Sequence, residues 1–288
     1  MPEQLHRRRS AASALRGIRH WFATRWSGSP DYTARIPALD MSFTVPMDTI
    51  FSWHLAKYRA YEPNISNWML GRATGARDAL YVDVGANFGW YTCLLARHGG
   101  PGAKVVAFEP APATLARLRR NIQDNRCEDH VEVVAKGVGR ESGTAHLHHA
   151  PDANPGMHSF LPMQHVGGDL GGEDLPIVTL DEALAHYAGR TVELLKIDVE
   201  GFEQEVLLGA TKTLARTRAL ILEYSPAFLR KAGHDPRALP QLLADAGFTL
   251  HELTAGGDLL PLTVDAILAK APGDNPDFFQ FDLVGLRG

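Results

Sequence analysis

The sequence has only two cysteines, no long apolar run and no net positive charge, so the three features that would each place it in a class at once are scarce or absent. Its two cysteines, Cys93 and Cys127, cannot form a disulfide framework, so we expect a protein of the reducing cytoplasm. No apolar run approaches the roughly 20 residues that a membrane-spanning helix needs. The formal net charge of −4 provides no overall basic field, so we expect no nucleic-acid partner.

Positive charge is instead concentrated at the N-terminus. Residues 1–28, the basic arm, contain six arginines and one acidic residue. Between these charges Leu15, Ile18, Phe22 and Trp26 recur at helical spacing, which predicts a basic amphipathic helix. Such a helix can contact an anionic membrane surface, but we expect its apolar stripe to pack on the body of the protein.

From residue 79 onward, strand-like and helix-like segments alternate, which predicts a parallel sheet with helices on both faces. The end of the chain departs from this pattern, because residues 248–253 and 279–286 are predicted strands with little helix between them. We therefore predict an α/β class I methyltransferase (Rossmann-like) fold, with a seven-stranded, mostly parallel sheet and an antiparallel C-terminal hairpin. The other predicted strands are Leu80–Val84, Lys104–Phe108, 131–135, Val192–Ile197 and Ala219–Tyr224, and the predicted helices are 88–98, one beginning at Pro112, 202–215 and 235–246.

The alternation assigns residues 76–288 to the methyltransferase domain. Residues 29–75, which follow the basic arm, are predicted to form a cap in front of it. Residues 151–176 contain four prolines and five glycines, a length and composition typical of a flexible lid or binding loop.

A glycine-rich turn, DVGANFG at residues 83–89, joins the first core strand to its helix. A strand that leads into a helix through glycines commonly holds a nucleotide. Asn87 stands where a dinucleotide site needs its second glycine, and the GK[ST] ending of a phosphate loop is absent. What remains is a nucleoside ligand without phosphates, and S-adenosylmethionine is such a ligand.

Glu109 supports a nucleoside ligand. It ends the second core strand, 20 residues after Gly89, where an acidic side chain commonly accepts hydrogen bonds from ribose hydroxyls. NAD enzymes share this arrangement, so Glu109 alone does not choose between cofactors. Asp83 is expected to face the ammonium group of the methionine part. The predicted cofactor-binding residues are Asp83, Gly85, Ala86, Asn87, Gly89, Glu109, Pro110 and Asp198.

A second acidic segment follows the fourth core strand and contains Asp198, Glu200 and Glu203. Ligands of open α/β sheets bind beyond the carboxyl ends of the strands, which places Asp198 at the site. Glu203 falls in the first turn of a helix and is expected to be structural. We expect Asp198 or Glu200 to orient the acceptor and serve as general base, and Glu223, at the end of the neighbouring strand, to line the pocket.

Taken together, these segments resemble the FkbM family of methyltransferases over roughly residues 45 to 285. The resemblance implies S-adenosylmethionine as the methyl donor and O-methylation of a small molecule, natural product or glycan, and it leaves the acceptor undefined. The segments that carry it are DVGANxGxY (83–91), FEP (108–110), KIDVEGxE (196–203), LxGA (207–210), YEP (61–63) and LE (222–223).

Two alternatives stay open. The acidic strand ends at Asp198 and Glu223 also suit Mg²⁺, although the sequence offers no evident third protein ligand, so no metal is assigned. A non-catalytic binding protein with the same fold would be expected to lose the glycine turn or Glu109, and both are present.

Other side chains are candidates for the substrate side of the site. Tyr61 in the cap and His158 in the long loop are predicted substrate or lid residues, and His165 is a second candidate in that loop. Three further histidines, His146, His148 and His149, lie close together in the sequence. They lack cysteine or acidic partners at ligand spacing, so we expect an exposed strand there rather than a metal site.

Overall fold

The computed structural model describes residues 5, 10–150, 158–161, 170–270 and 279–288. Its centre is an eight-stranded sheet, accompanied by a two-stranded and a three-stranded sheet. The strands are β1 (Asp31–Ile36), β2 (Met41–Pro46), β3 (Leu80–Val84), β4 (Lys104–Phe108), β5 (Val131–Val134), β6 (Gly137–Val138), β7 (Gly143–His148), β8 (Gly172–Val178), β9 (Val192–Ile197), β10 (Ala219–Tyr224), β11 (Thr249–Leu253), β12 (Leu259–Leu262) and β13 (Phe281–Leu286). The α-helices are α1 (Ala11–Trp26), α2 (Ile50–Tyr58), α3 (Pro63–Ala73), α4 (Trp90–His98), α5 (Pro112–Asp124), α6 (Leu180–Ala183), α7 (Glu203–Leu208), α8 (Thr211–Ala215), α9 (Pro226–Lys231), α10 (Ala238–Asp245) and α11 (Val264–Ala269).

The large sheet confirms the predicted fold class. Its order is β12-β11-β13-β10-β9-β3-β4-β5, and the strands from β10 to β5 are parallel to one another. β13 lies between β10 and β11 and is antiparallel to both. The sheet has one strand more than the seven predicted, because β12 pairs with β11. Its Pro261 is tolerated at this outer position, where a strand needs hydrogen bonds on one side only.

Helices cover both faces of the core strands, which explains their continuous apolar sequence. All five residues of β3 are buried. Tyr81 belongs to the core on the side of α4 and α5, whereas Leu80, Val82 and Val84 belong to the core on the side of α7, α8 and α10. Burial on two faces is what parallel sheets require.

Two predicted elements have different bounds in the structure. The helix predicted over 202–215 is two helices, α7 and α8, because the chain turns at Gly209. A Cβ at Gly209 would lie 2.2 Å from the carbonyl oxygen of Gly139, so the close backbone contact admits only glycine. The loop predicted over 151–176 ends earlier, because β8 begins at Gly172 and pairs with β7 and β6. Residues 151–157 and 162–169 of that loop lie outside the described residues.

Two asparagine side chains, Asn121 in α5 and Asn125 directly after it, attach the cap to the core. The amide of Asn121 accepts a hydrogen bond from the Thr44 N–H (2.7 Å) and donates to the Thr44 carbonyl (3.1 Å). Asn125 makes the same pair of bonds with Ser42, at 2.9 and 2.7 Å. These side chains therefore act as an extra pairing partner for β2, which positions the β1–β2 hairpin against the core.

The predicted N-terminal helix is present as α1, but the expectation that its apolar stripe packs on the body is wrong. The buried residues of α1 are Ser13 and His20, which face α2. Leu15, Ile18 and Trp26 are exposed. The helix therefore packs through its small and polar face, and its apolar face points to solvent.

Along the described ranges of the chain, no helix combines the length and the apolar character that crossing a membrane requires.

Candidate functional site

The glycine turn after β3 brings three strand ends together. Gly85 has φ +77°, and a Cβ there would lie 1.8 Å from the backbone oxygen of Asp198. The N–H groups of Gly85 and Ala86 both donate to the Phe108 carbonyl at the end of β4. Gly89 has φ +85°, and Leu118 occupies the place of its missing Cβ. The turn is therefore held against both neighbouring strands, β9 and β4.

Glu109 fixes the far side of the same turn. Its carboxylate accepts hydrogen bonds from the N–H of Asn87 (3.0 Å) and the N–H of Ala111 (2.9 Å). Burial raises its pKa to about 7, although these two bonds lower it in part. Asn87 itself has φ +50°, a left-handed conformation that asparagine tolerates well, and its buried Oδ1 has no hydrogen-bond partner in the described structure.

A cavity that opens to solvent lies beside this turn. Its empty space, counted together with the solvent at its mouth, is about 590 Å³. Of the predicted cofactor residues, Gly85, Asn87, Glu109, Pro110 and Asp198 line it. Its wall also includes residues that the sequence analysis missed. They lie in or beside the three-stranded sheet of β6, β7 and β8, or just after β5, and carry no recognisable motif. They are Lys136, Val138, Leu147 and Phe160.

Lys196, near the end of β9, is the buried cation of the site. Its ammonium lies 3.0 Å from the Gly85 carbonyl, 3.3 Å from the Asp198 carboxylate and 3.5 Å from the Asp83 carboxylate. Burial lowers its pKa, but Asp198 and Asp83 outweigh burial, so the pKa is raised and Lys196 is charged at neutral pH. Thr92 Oγ1 also donates to Asp83, at 2.6 Å.

These contacts show where Asp83 lies. Its side chain is fully buried beneath the turn, and the group that faces it is the Lys196 ammonium. Contact between Asp83 and a ligand ammonium stays a prediction. The register of β3 against β9, which pairs Asp83 with Lys196, brings the two together.

The cap contributes a carboxylate that the sequence analysis did not assign to the site. Glu62 has φ +37° directly before the first residue of α3. The Tyr91 hydroxyl donates to it at 2.5 Å, and burial raises its pKa, with Asp198 raising it further. The signal for Glu62 was present in the YEP segment, but nothing in the chain order placed that segment beside β9. Tyr61 next to it packs on Phe51, with ring centroids 4.3 Å apart.

Further carboxylates surround Asp198 at the ends of β9, β10 and β13. Burial raises the pKa of Glu200 well above its ordinary value, and Asp198 and Glu203 raise it further. Burial also raises the pKa of Glu223 to about 10 and that of Asp282, its cross-strand neighbour, to about 7. Glu223 accepts a hydrogen bond from Gln280 at 2.7 Å. With a pKa of about 10, Glu223 is protonated at neutral pH.

Glu203 is structural, as predicted. Its Oε1 accepts hydrogen bonds from the N–H groups of Val199 (3.1 Å) and Gly201 (3.2 Å), so it holds the turn that presents Glu200. Burial raises its pKa to about 7. Its carboxylate is committed to the backbone rather than to a ligand.

Of the described histidine candidates, one lines the cavity and the others lie at the three-stranded sheet. His158 lines the cavity, and its Nδ1 accepts a hydrogen bond from the Ala150 N–H at 2.9 Å. His165 lies outside the described residues. His146 pairs across the strands with Asp174 at 2.8 Å. Within the ranges that the structure describes, no three His, Cys, Asp or Glu side chains are grouped so that they could hold a metal ion.

The family profile of the methyltransferase FkbM domain matches residues 83–250, which include the glycine turn, Glu109 and the acidic segment after β9. The chain belongs to the FkbM methyltransferase family.

Named relatives of this methyltransferase include proteins from an archaeon and a bacterium. The hexuronic acid methyltransferase AglP of Haloferax volcanii is 29% identical over 194 residues, covering 67% of this chain and 72% of the relative. The 31-O-demethyl-FK506 methyltransferase FkbM of Streptomyces tacrolimicus is 34% identical over 152 residues, covering 44% of this chain and 57% of the relative. A solved structure of methyltransferase FkbM from Methylobacillus flagellatus KT is 16% identical with a TM-score of 0.43, covering 73% of this chain and 44% of that one.

The site of this FkbM methyltransferase thus has two adjoining parts. One is the cavity bordered by Asn87 and Glu109, and the other is the group of carboxylates around Lys196. Asp198 and Glu200 line the cavity and belong to both parts. A ligand in the cavity is therefore directly next to the acidic group.

Proposed function

We propose that this protein transfers a methyl group from S-adenosylmethionine to a hydroxyl group of a small molecule, a natural product or a sugar. The observation that carries the proposal is the position of Asp198 and Glu200, which border both the cavity beside the glycine turn and the acidic group next to it. Positioning is the main requirement of such a transfer, because charge disappears as the sulfonium loses its methyl group.

The residues of the cavity fit the methyl donor. Lys136 is the only lysine or arginine among the described lining residues, so the cavity offers no set of cations for a chain of phosphates. Glu109 lines the cavity, and we assign it to the ribose hydroxyls; the buried Oδ1 of Asn87, which has no hydrogen-bond partner in the described structure, is a further acceptor. Val138, Leu147 and Phe160 provide apolar surface for the adenine ring of the methyl donor. S-adenosylmethionine, when bound, supplies an electrophilic methyl group.

The acceptor hydroxyl needs a base within hydrogen-bond reach, because an alcohol is a weak nucleophile while it is protonated. We assign this role to Glu200. Glu200 lines the cavity and belongs to the acidic group beside it, so its carboxylate borders the place where an acceptor would meet the methyl donor. Glu223, which is protonated at neutral pH, can instead donate a hydrogen bond to the acceptor.

Asp198 and Lys196 position the reacting groups in this scheme. The Lys196 ammonium holds the Asp198 carboxylate at 3.3 Å and the Gly85 carbonyl at 3.0 Å, so the end of β9 and the glycine turn form one rigid unit. The Asp198 side chain is 44% exposed and is free to orient a ligand from this fixed position.

The choice of a hydroxyl acceptor rests on the relatives. AglP is named for a hexuronic acid and the Streptomyces protein for the 31-O position of demethyl-FK506. The second name specifies an oxygen as the methylated atom, and a hexuronic acid carries several hydroxyl groups. The first acceptors to test are therefore free and glycosidically linked hexuronic acids, followed by polyketide alcohols.

The proposal is tested with Glu200→Gln, measuring the 14-Da mass gain of the acceptor and the affinity for S-adenosylhomocysteine by calorimetry. We expect Glu200→Gln to reduce turnover by about 10² to 10⁴-fold, the usual contribution of a general base, with the affinity nearly unchanged. Asp198→Asn is expected to reduce turnover as well. Glu128→Gln, at an exposed position away from the site, is the matched control and should leave both unchanged.

Three results would contradict the proposal. Full turnover in Glu200→Gln would remove Glu200 as the base. Failure of the intact protein to bind S-adenosylhomocysteine would favour a non-catalytic protein of this fold. Loss of turnover with a chelator, restored by Mg²⁺, would favour the metal-assisted reaction.

A further inference from the structure

A group of large apolar side chains is exposed on α1 and the adjoining part of α2. Trp26 is 70% exposed, Leu15 59% and Ile18 53%. Contiguous exposed apolar surface of this kind marks a contact surface rather than random exposure. We define the aromatic patch as Leu15, Ile18, Trp21, Phe22 and Trp26 of α1 together with Trp53 of α2.

The contacts on the opposite face of α1 explain why the patch points outward. The Arg16 guanidinium donates to the Lys57 carbonyl at 2.9 Å, and His20 lies 3.2 Å from the Ser52 hydroxyl. The aliphatic stem of Lys57 lies beside Gly17, and a Cβ there would be in ordinary contact with it at 3.5 Å. These polar contacts fix the orientation of α1 on α2, and in this orientation the aromatic face of α1 points to solvent.

The rings of the patch form one continuous surface with cations at its edge. Phe22 and Trp26 are stacked with centroids 5.1 Å apart, and Trp21 meets Phe22 edge-on at 5.0 Å. The Arg25 guanidinium lies 3.9 Å from the Trp21 ring centroid, and the Lys57 ammonium lies 4.3 Å from that of Trp53. Arg19 on the same helix is exposed.

We propose that the aromatic patch docks on the surface of an anionic phospholipid membrane. Tryptophan and phenylalanine beside arginine and lysine are the composition that binds the interface between headgroups and acyl chains. Six arginines fall within residues 1–28 of a chain whose net charge is −4, so the segment of the sequence that contains α1 is itself strongly basic. An anionic leaflet is complementary to both features.

A second copy of the chain is a poorer occupant. In a two-fold symmetric contact the same patch would face itself, which would bring Arg19, Arg25 and Lys57 of each copy against one another. A lipid surface instead neutralises these charges. It also accepts a shallow helix face without needing a shaped partner.

Helix α2 connects the patch with the residues beside the carboxylate group. Trp53 and Lys57 of α2 belong to the patch or its edge, whereas Phe51 of α2 packs on Tyr61, the neighbour of Glu62. Docking would therefore hold the cap side of the molecule against the membrane.

The test is co-sedimentation of the full chain with vesicles of phosphatidylcholine alone and with vesicles that also contain about one quarter phosphatidylglycerol. We expect binding to the anionic vesicles that weakens with salt. Changing Phe22→Ser and Trp26→Ser together should weaken it by about tenfold or more, because burial of these rings supplies much of the affinity. Changing Arg19→Glu and Arg25→Glu together should abolish the preference for anionic lipid. No methyl donor or acceptor enters the measurement, so its result is independent of the proposed reaction.

The matched controls are Leu260→Ser and Arg119→Glu, which change an exposed leucine on β12 and an exposed arginine on α5. Both should bind vesicles like the unchanged protein, and thermal melting verifies that every variant is folded. No binding to anionic vesicles, or equal binding by the serine variant, would overturn the proposal. A dimer in light scattering that the serine variant dissociates would assign the patch to a second copy instead.

Discussion

At the scale of single residues, backbone contacts at the site leave little freedom. Gly85 combines a positive φ with a place where a side chain would overlap the Asp198 carbonyl. Gly75, between α3 and β3, also has a positive φ (+87°), but no atom lies within 4 Å of its missing Cβ. Comparing substitutions at Gly85 and Gly75 therefore separates the effect of a left-handed backbone from the effect of the close contact with Asp198.

We therefore predict that Gly85→Ala loses S-adenosylhomocysteine binding and lowers the melting temperature, whereas Gly75→Ala retains binding. The left-handed conformation costs about 1–3 kcal/mol at either position. The additional loss at Gly85 arises because the turn and the end of β9 must move apart. Calorimetry and thermal melting of the two variants measure the difference. Equal effects of both substitutions would show that the contact with Asp198 is unimportant.

The sequence predicted the individual segments of the site, but not how these segments come together in the fold. DVGANFG and Glu109 were sufficient to place the glycine turn and the acidic strand end that border the cavity, since a strand end, a turn and a helix follow one another there. Glu62 and Lys196 were missed as members of the acidic centre. Their contacts depend on how the cap and β9 meet across the sheet, and no spacing along the chain records that.

At the scale of elements, the asparagine pair Asn121 and Asn125 is the main attachment of β2. Asn121 also donates to the Phe88 carbonyl at 2.8 Å, so one side chain joins the cap, α5 and the glycine turn. Loss of this amide would leave buried backbone groups without partners.

We predict that Asn121→Leu lowers the free energy of unfolding by about 1–3 kcal/mol for each backbone group left unpaired. Leucine has a similar volume, so the effect reports the hydrogen bonds rather than a cavity. Gln123→Leu, at an exposed position of the same helix, is the control and should change stability little. Denaturant titration measures both. A loss no larger for Asn121 than for Gln123 would disprove the attachment.

Elements buried on two faces were the most predictable. The bounds of β3, β4, β9 and β10 agree with those expected, because branched apolar runs of this length between turns suit only a covered strand. The β1–β2 hairpin is a separate two-stranded sheet, and β12 is a four-residue strand at the edge of the large sheet, so the apolar runs typical of a strand covered on two faces are absent there. The outward face of α1 could not be predicted either, since the usual rule is that an apolar stripe is buried.

At the scale of the whole molecule, raised carboxyl pKa values make stability depend on pH. Burial raises the pKa values of Glu109 and Glu203 from 4.5 to about 7. Between these values the folded state binds more protons than the unfolded state, so stability decreases as pH rises. Glu223 extends this loss toward its own pKa of about 10.

We therefore predict that the melting temperature of the protein without ligands is higher near pH 5 than near pH 8, in the window set by these carboxyl groups. Glu223→Gln should flatten the alkaline part of the profile, because glutamine needs no proton to remain neutral. Scanning fluorimetry across this range measures both. A melting temperature that rises steadily toward pH 8 would contradict the prediction.

The position of β13 has a consequence for how the molecule is made. The strand that separates β10 from β11 is the last of the three to leave the ribosome, so the facing edges of the other two stay unpaired until residue 286 has been synthesised. Unpaired edges attract other chains. Folding of the large sheet during translation therefore has to wait for its final strand, and a nascent chain that stalls before it is exposed to aggregation.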